Sequence, residues 1–116
     1  MAEYTVVTKD KEYIPEWNGN KEAAEPIVFT LRYLTNAQRS ECFKTQANAR
    51  GDVFVEPDNV RLVKLGVKKI ESFSVNGKAI ETVRDFLEVS GFDGLFSEVA
   101  TQVLVMNARE DTGPLP

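Results

Sequence analysis

The segment Ile27-Val-Phe-Thr-Leu-Arg-Tyr-Leu34 runs straight into Thr35-Asn-Ala-Gln38, and this junction decides how the chain is read. In an extended strand, side chains point alternately to the two faces. Ile27, Phe29, Leu31 and Tyr33 therefore share one side, and Val28, Thr30 and Arg32 the other, as in a strand with one face on a core. Thr35 then offers its hydroxyl to the backbone N–H three residues on, while Gln38 reaches back to the N–H of Thr35, the two halves of a capping box. The spacing predicts a helix from Asn36 to about Ala47. Its apolar positions are only Ala37, Cys42 and Phe43, so it is expected to be an exposed helix laying a narrow stripe on a sheet.

Working outward, Glu3-Tyr-Thr-Val-Val-Thr8 is rich in β-branched and aromatic residues and reads as a strand, and Tyr13-Ile14 is a second extended piece stopped by Pro15. Asn18-Gly19-Asn20 is a turn, with Trp17 read as the anchor of that loop rather than as a ligand contact. Downstream, Asp52-Val-Phe-Val-Glu56 reads as a short strand, and Pro57-Asp58-Asn59 starts a helix with Asp58 or Asn59 as N-cap. Val60, Val63, Val67 and Ile70 recur at three and four residues, one helix face, which Leu62 and Leu65 widen. Gly66 inside that helix costs about 1 kcal/mol relative to Ala, which suggests close packing against a neighbour. Phe73-Ser-Val75, Asn76-Gly77 and Lys78-Ala-Ile80 form a hairpin with a type I′ turn. Thr82 and Asp85 open a short helix with Val83, Phe86 and Leu87 inward and a stop at Gly91. Asp93 or Ser90 caps a last helix, about Gly94 to Arg109. There Phe96, Val99, Ala100, Val103 and Asn107 share a face, with Leu95, Gln102 and Met106 beside it.

The expected fold class is therefore α+β: N-terminal antiparallel strands and a helical C-terminal half that includes the hairpin at Asn76-Gly77, without regular βαβ alternation. Residues 1–26 are expected as an extended and loop segment, 27–109 as a compact domain, and 110–116 as a flexible tail.

The 116 residues, 42% hydrophobic and 28% charged, suit one globular domain. There is no histidine, which removes the usual general base, the commonest zinc ligand and any Ser-His or Cys-His pair. One cysteine, Cys42, excludes an internal disulfide, and mid-helix beside Phe43 it reads as a small hydrophobe. Asn76-Gly77-Lys78-Ala79 lacks the hydroxyl a phosphate loop would give to magnesium. The carboxylate pairs Asp85 with Glu88 and Glu110 with Asp111 have no His or Cys companions. No catalytic, cofactor-binding or metal-binding residues are expected, and no cofactor. The net charge of −4 argues against nucleic acid as the main partner. The longest uncharged apolar-rich stretch, Val99 to Ala108, falls short of the about 20 residues a membrane span needs. Met1-Ala-Glu-Tyr-Thr5 lacks the pattern of a signal peptide, so a cytoplasmic location is expected. Charge is uneven: residues 27–50 carry four bases and one acid, and residues from 71 onward eight acids and three bases. Arg61, Lys64, Lys68 and Lys69 read as the solvated side of a helix. The alternative is a basic stripe meeting an acidic partner or a second copy.

Val67-Lys-Lys-Ile-Glu71, Val75-Asn-Gly-Lys-Ala-Ile80, Asp85-Phe-Leu-Glu88, Phe96-Ser-Glu-Val-Ala100 and Met106-Asn107 together resemble the core of small bacteriophage tail assembly chaperones. Pro26-Ile-Val-Phe-Thr-Leu-Arg-Tyr-Leu-Thr-Asn-Ala-Gln-Arg39 is similar to the strand-then-helix opening of some of them. The resemblance covers roughly residues 26 to 108. It implies a non-enzymatic protein of the host bacterial cytoplasm that binds the long tape-measure protein, keeps it in solution and is absent from the finished tail. It also implies that a frameshift often yields a longer form. Masking a long helical client needs an apolar surface of matching shape. Phe96, Val99, Val103 and Met106 are the first candidates for that partner-binding surface, and Val60, Val63 and Val67 the second. Each competes with an interior role, since a domain this small needs most of its large apolar groups for a core. The alternative is a structural virion component, such as a tail-tube, completion or connector subunit, whose N-terminal strands pair edge to edge in a ring. An enzymatic role through Asp85, Glu88 or Lys78 is a third reading. Segments of opposite charge leave a homo-oligomer open.

Overall fold

The computed structural model describes residues 2–6, 9–108 and 112–114. The elements follow in the order β1 (Tyr4–Val6), β2 (Lys11–Tyr13), a 3-10 helix (Trp17–Glu22), β3 (Val28–Leu31), α1 (Asn36–Glu41), β4 (Phe43–Ala47), β5 (Val53–Pro57), α2 (Asn59–Gly66), β6 (Val67–Glu71), β7 (Ser74–Val75), β8 (Lys78–Ala79), α3 (Val83–Glu88), α4 (Asp93–Ala108) and β9 (Thr112–Pro114). The fold is α+β, and every strand pairing is antiparallel.

A three-stranded sheet in the order β2-β3-β6 forms the floor of the core. Phe29 and Leu31 of β3 lie opposite Ile70 and Val67 of β6, and all four are buried. Leu62 and Val63 of α2, Phe86 of α3 and Leu95, Val99, Ala100, Val103 and Met106 of α4 complete the interior. An added Cβ at Gly66 would run into the methyls of Val103. The close approach expected of that glycine is therefore real, and it lies where α2 meets α4. Three aromatic pairs, Phe29–Phe86, Phe73–Phe86 and Phe73–Phe92, meet edge-on with ring centroids 5.3–6.2 Å apart, a favoured geometry for aromatic quadrupoles.

The local signals at the starts of α1, α2 and α3 hold, whereas Asp93, one of the two expected caps of the last helix, is instead the first residue of α4. Thr35 and Gln38 form both bonds of their capping box (3.2 and 2.9 Å), Thr82 and Asp85 form theirs, and Asp58 accepts from the Arg61 N–H at 3.2 Å. Asn76 and Gly77 have φ of +52° and +81°, both positive as a type I′ turn requires.

Three expectations are corrected. The helix from Thr35 ends at Glu41, and Phe43–Ala47 instead pairs with Val53–Pro57 as a hairpin. The Asn48 side chain builds the turn: its carbonyl oxygen accepts from the N–H groups of Arg50 (2.9 Å) and Asp52 (3.0 Å), and Gly51 takes φ +83°. Asx turns of this kind draw the backbone away from helix. Second, Val60, Val63, Val67 and Ile70 are not one helix face. The helix stops at Gly66, and Val67 and Ile70 belong to β6. Leu31 faces Val67 and Thr30 faces Lys69, so Lys68 is an extra residue, a β-bulge that lets positions three apart both point inward. Arg61 and Lys64 are thus helical, while Lys68 and Lys69 lie on a strand, paired with Asp10 (2.8 Å) and Glu71 (2.9 Å). Third, Thr112–Pro114, expected within a flexible tail, pairs with Tyr4–Val6. Val7, Thr8 and Arg109, which the sequence reading assigned to a strand and a helix, lie outside the described residues.

The chain is also extended for its length. Its radius of gyration is 16.5 Å, where a compact chain of this size has about 13 Å. Beyond each other, the principal neighbour of the strands of the β4–β5 hairpin is α1, from which β4 departs.

Candidate functional site

The residues proposed from sequence for partner binding divide sharply. Val63, Val67, Val99, Val103 and Met106 are in the core, at most 4% exposed, and present no surface. Phe96 is half-buried, its ring 5.5 Å from that of Phe86. Val60 alone is exposed, at 54%. The alternation of α4 marks the interior of this chain, and the interior reading is the correct one for those five.

An exposed apolar surface lies instead on the β4–β5 hairpin, whose first strand falls where a helix end is expected from sequence and whose second falls on the expected short strand. In the register Phe43↔Pro57, Thr45↔Val55 and Ala47↔Val53, these six side chains share one face, because residues opposite one another in a ladder point the same way. None of the six is charged, and all six are exposed, Val53 by 69% and Val55 by 66%. The other face carries Lys44, Gln46, Phe54 and Glu56, with Lys44 and Glu56 3.7 Å apart across the strands. The signal in the sequence was the pair of five-residue runs flanking Asn48 to Asp52. The capping box upstream and the one cysteine between obscured it.

The root of the hairpin is well fixed. The Asp58 N–H donates to the Cys42 carbonyl at 2.7 Å, and Arg61 approaches Glu41 at 4.0 Å. Cys42 is buried there. Burial, reinforced by the negative charges of Asp58 and Glu41, pushes its thiol up and keeps it neutral. Leu34, Cys42, Phe43, Leu62 and Leu104 line a shallow apolar recess at this root, with Arg39 at its rim. The apolar face thus continues from the hairpin onto the body through Phe43.

The remaining polar constellations serve the fold. Glu98 of α4 accepts from the Tyr13 hydroxyl and from the backbone N–H groups of Glu16 (2.7 Å) and Trp17 (3.0 Å). It thereby supplies the cap that the 3-10 helix does not make for itself. Burial and the bond to Glu98 raise the Tyr13 pKa well above the ordinary tyrosine value. Trp17 anchors its own turn: its ring meets Phe92 at 5.6 Å, and Gly94 of α4 leaves room for it. Asn20 ties that turn to β3, donating to the Pro15 and Ile27 carbonyls and accepting from the Ile27 N–H at 2.8 Å. Asn107 accepts from the Leu34 N–H at 2.7 Å. Asp85 is committed to the cap of α3, and hydrogen bonds from the N–H groups of Glu81 and Thr82 and from the Thr82 hydroxyl hold its carboxyl below the usual range. Glu88 pairs with Arg84 at 3.3 Å. Glu110 and Asp111 lie outside the described residues. No group of three or more metal-ligating side chains occurs among the described residues, and no helix there is long and apolar enough to cross a membrane.

Comparison with family models, with curated proteins and with solved structures finds no match to this chain.

Proposed function

We propose that this protein is a phage tail assembly chaperone that acts by contact, shielding the tape-measure protein in the host cytoplasm and transforming no bond. The observation that carries the reading is the uncharged, exposed face of the β4–β5 hairpin, continued by Phe43 into the recess at its root. A long helical client with apolar stripes associates with itself unless those stripes are covered, and an outward-facing apolar surface is what covers them. The resemblance of residues 26 to 108 to tail assembly chaperones supplies the client. The client surface is moved from the candidates at α4 and α2 to the β4–β5 hairpin, the arm of this chain, centred on Phe43, Val53 and Val55.

Co-expression tests it. The wild-type chain raises the fraction of tape-measure protein recovered in solution, and Val55→Asp abolishes the gain while the body stays folded. An unchanged gain with Val55→Asp removes the arm from the mechanism, and no gain with the wild type removes the chaperone reading. A second reading, a ring-forming virion subunit, is favoured by the outer edges of β4 and β5, which pair with no further strand among the described residues. Detection of the chain in purified virions supports the ring and counts against the chaperone.

A further inference from the structure

Resting on the contact reading above, we propose that the recess at the root of the arm is the anchor of that contact. It takes the tip of one aliphatic side chain of the client, and Arg39 takes a carboxylate carried beside it. The segment recognised is an apolar residue next to an acidic one.

The size of the recess decides the class of ligand. It measures about 60 Å³. Sites for cofactors and drug-sized molecules run from about 300 to about 1,000 Å³, so this one is too small for either. It suits a single side chain, and a few anchored side chains carry most of the energy of a protein contact. Its walls are preformed. Cys42 and Leu62 are 1% and 2% exposed, while Leu34 and Leu104 are half-buried and present their methyls to the opening. Asn107 has its carbonyl oxygen on the Leu34 N–H (2.7 Å) and its amide on the Val103 carbonyl (2.9 Å). The interior therefore favours an apolar group.

Charge selects the neighbour of that group. Arg39 lines the rim, is exposed, and forms no ion pair among the described residues. Lys44 and Arg61, by contrast, are already matched with Glu56 (3.7 Å) and Glu41 (4.0 Å). Residues 27–50 hold four bases against one acid in a chain whose net charge is −4, so this stretch draws acidic partners where the chain as a whole repels them. A guanidinium meets a carboxylate through two parallel hydrogen bonds and is more weakly hydrated than an ammonium. A pair at the rim contributes more to selectivity than to affinity. The open face of the arm accepts any apolar segment, and the recess with Arg39 discriminates among them.

Titration of the full chain with 4-methylpentanoate and with 4-methylpentanamide, followed by the methyl NMR signals, tests this. The two probes share one aliphatic tip and differ in charge. The acid shifts the methyls of Leu34, Leu62 and Leu104 saturably and binds about two- to fivefold more tightly than the amide. Arg39→Gln brings the acid down to the level of the amide and leaves the amide unchanged. Equal binding of the two probes to the wild type overturns the proposal, and that contrast needs no variant. So does a difference that survives Arg39→Gln, or shifts as large at Val53 and Val55, which put the probe on the open face. Recess signals that move with protein concentration alone put a second copy there, and overturn it too. In co-expression, Arg39→Gln lowers the recovery of tape-measure protein in solution. Full recovery with Arg39→Gln removes the anchor and leaves the chaperone reading standing. Probe binding as expected with no client solubilised by the wild type supports the chemistry of the recess and counts against the chaperone reading alone.

Discussion

The body and the arm of this chain are built from similar residues to opposite ends. Val63, Val67, Val99 and Val103 are at most 1% exposed, whereas Val53 and Val55 are about two-thirds exposed. The difference is not composition but what the register places opposite them. In the body, a bulge at Lys68 and a glycine at position 66 bring valines against a neighbouring element. In the arm, the ladder pairs β4 and β5 with each other, and the face they share looks outward. A valine is therefore a core residue or an exposed one according to how many layers its element is given.

Substitutions that break the contrast span a wide range of effects. Val103→Asp buries a carboxylate without a partner and costs about 4 kcal/mol or more, enough to abolish a cooperative thermal transition in a domain of ordinary stability. Glu98→Ala deprives the Tyr13 hydroxyl and two backbone N–H groups of their acceptor, for about 2–3 kcal/mol in denaturant unfolding. Gly66→Ala forces Val103 aside and costs about 1–2 kcal/mol by the same measurement. Asp85 sets a pH dependence. Its folded pKa lies below that of the unfolded chain, so its contribution is present above about pH 4 and is lost as the pH falls through the folded value. Asp85→Asn flattens that acid limb in a pH series of thermal melts. Smallest in stability is Val55→Asp, within about 0.5 kcal/mol of wild type because its side chain is about two-thirds exposed.

Signals confined to a few residues were legible in the sequence. The caps at Thr35, Asp58 and Thr82, the Asn76-Gly77 turn and the alternation of Phe29 and Leu31 each rest on bonds within one element or one turn. What misled were patterns whose meaning depends on a distant partner. Val67 and Ile70, three apart, have helical spacing, and only pairing with β3 makes them a bulged strand. Phe43–Ala47 is compatible with continuing α1, and it becomes a strand because Val53–Pro57 returns beside it. The candidate surface followed the same logic. α4 is the longest helix among the described residues and apolar on average, and such a helix is one that a small domain buries. The exposed face proposed for contact lies in the shorter pattern of β4 and β5.

The assignment of contact to the arm is tested most directly by hydrogen exchange on the wild-type chain, dilute and alone, then with the tape-measure partner. Alone, the amides of 43–57 exchange faster than those of β3 and β6. With the partner they slow markedly, while those of α4 are unchanged. Protection gained on α2 and α4 with the arm unaltered, or an arm as protected as β3 in the dilute chain, would contradict it.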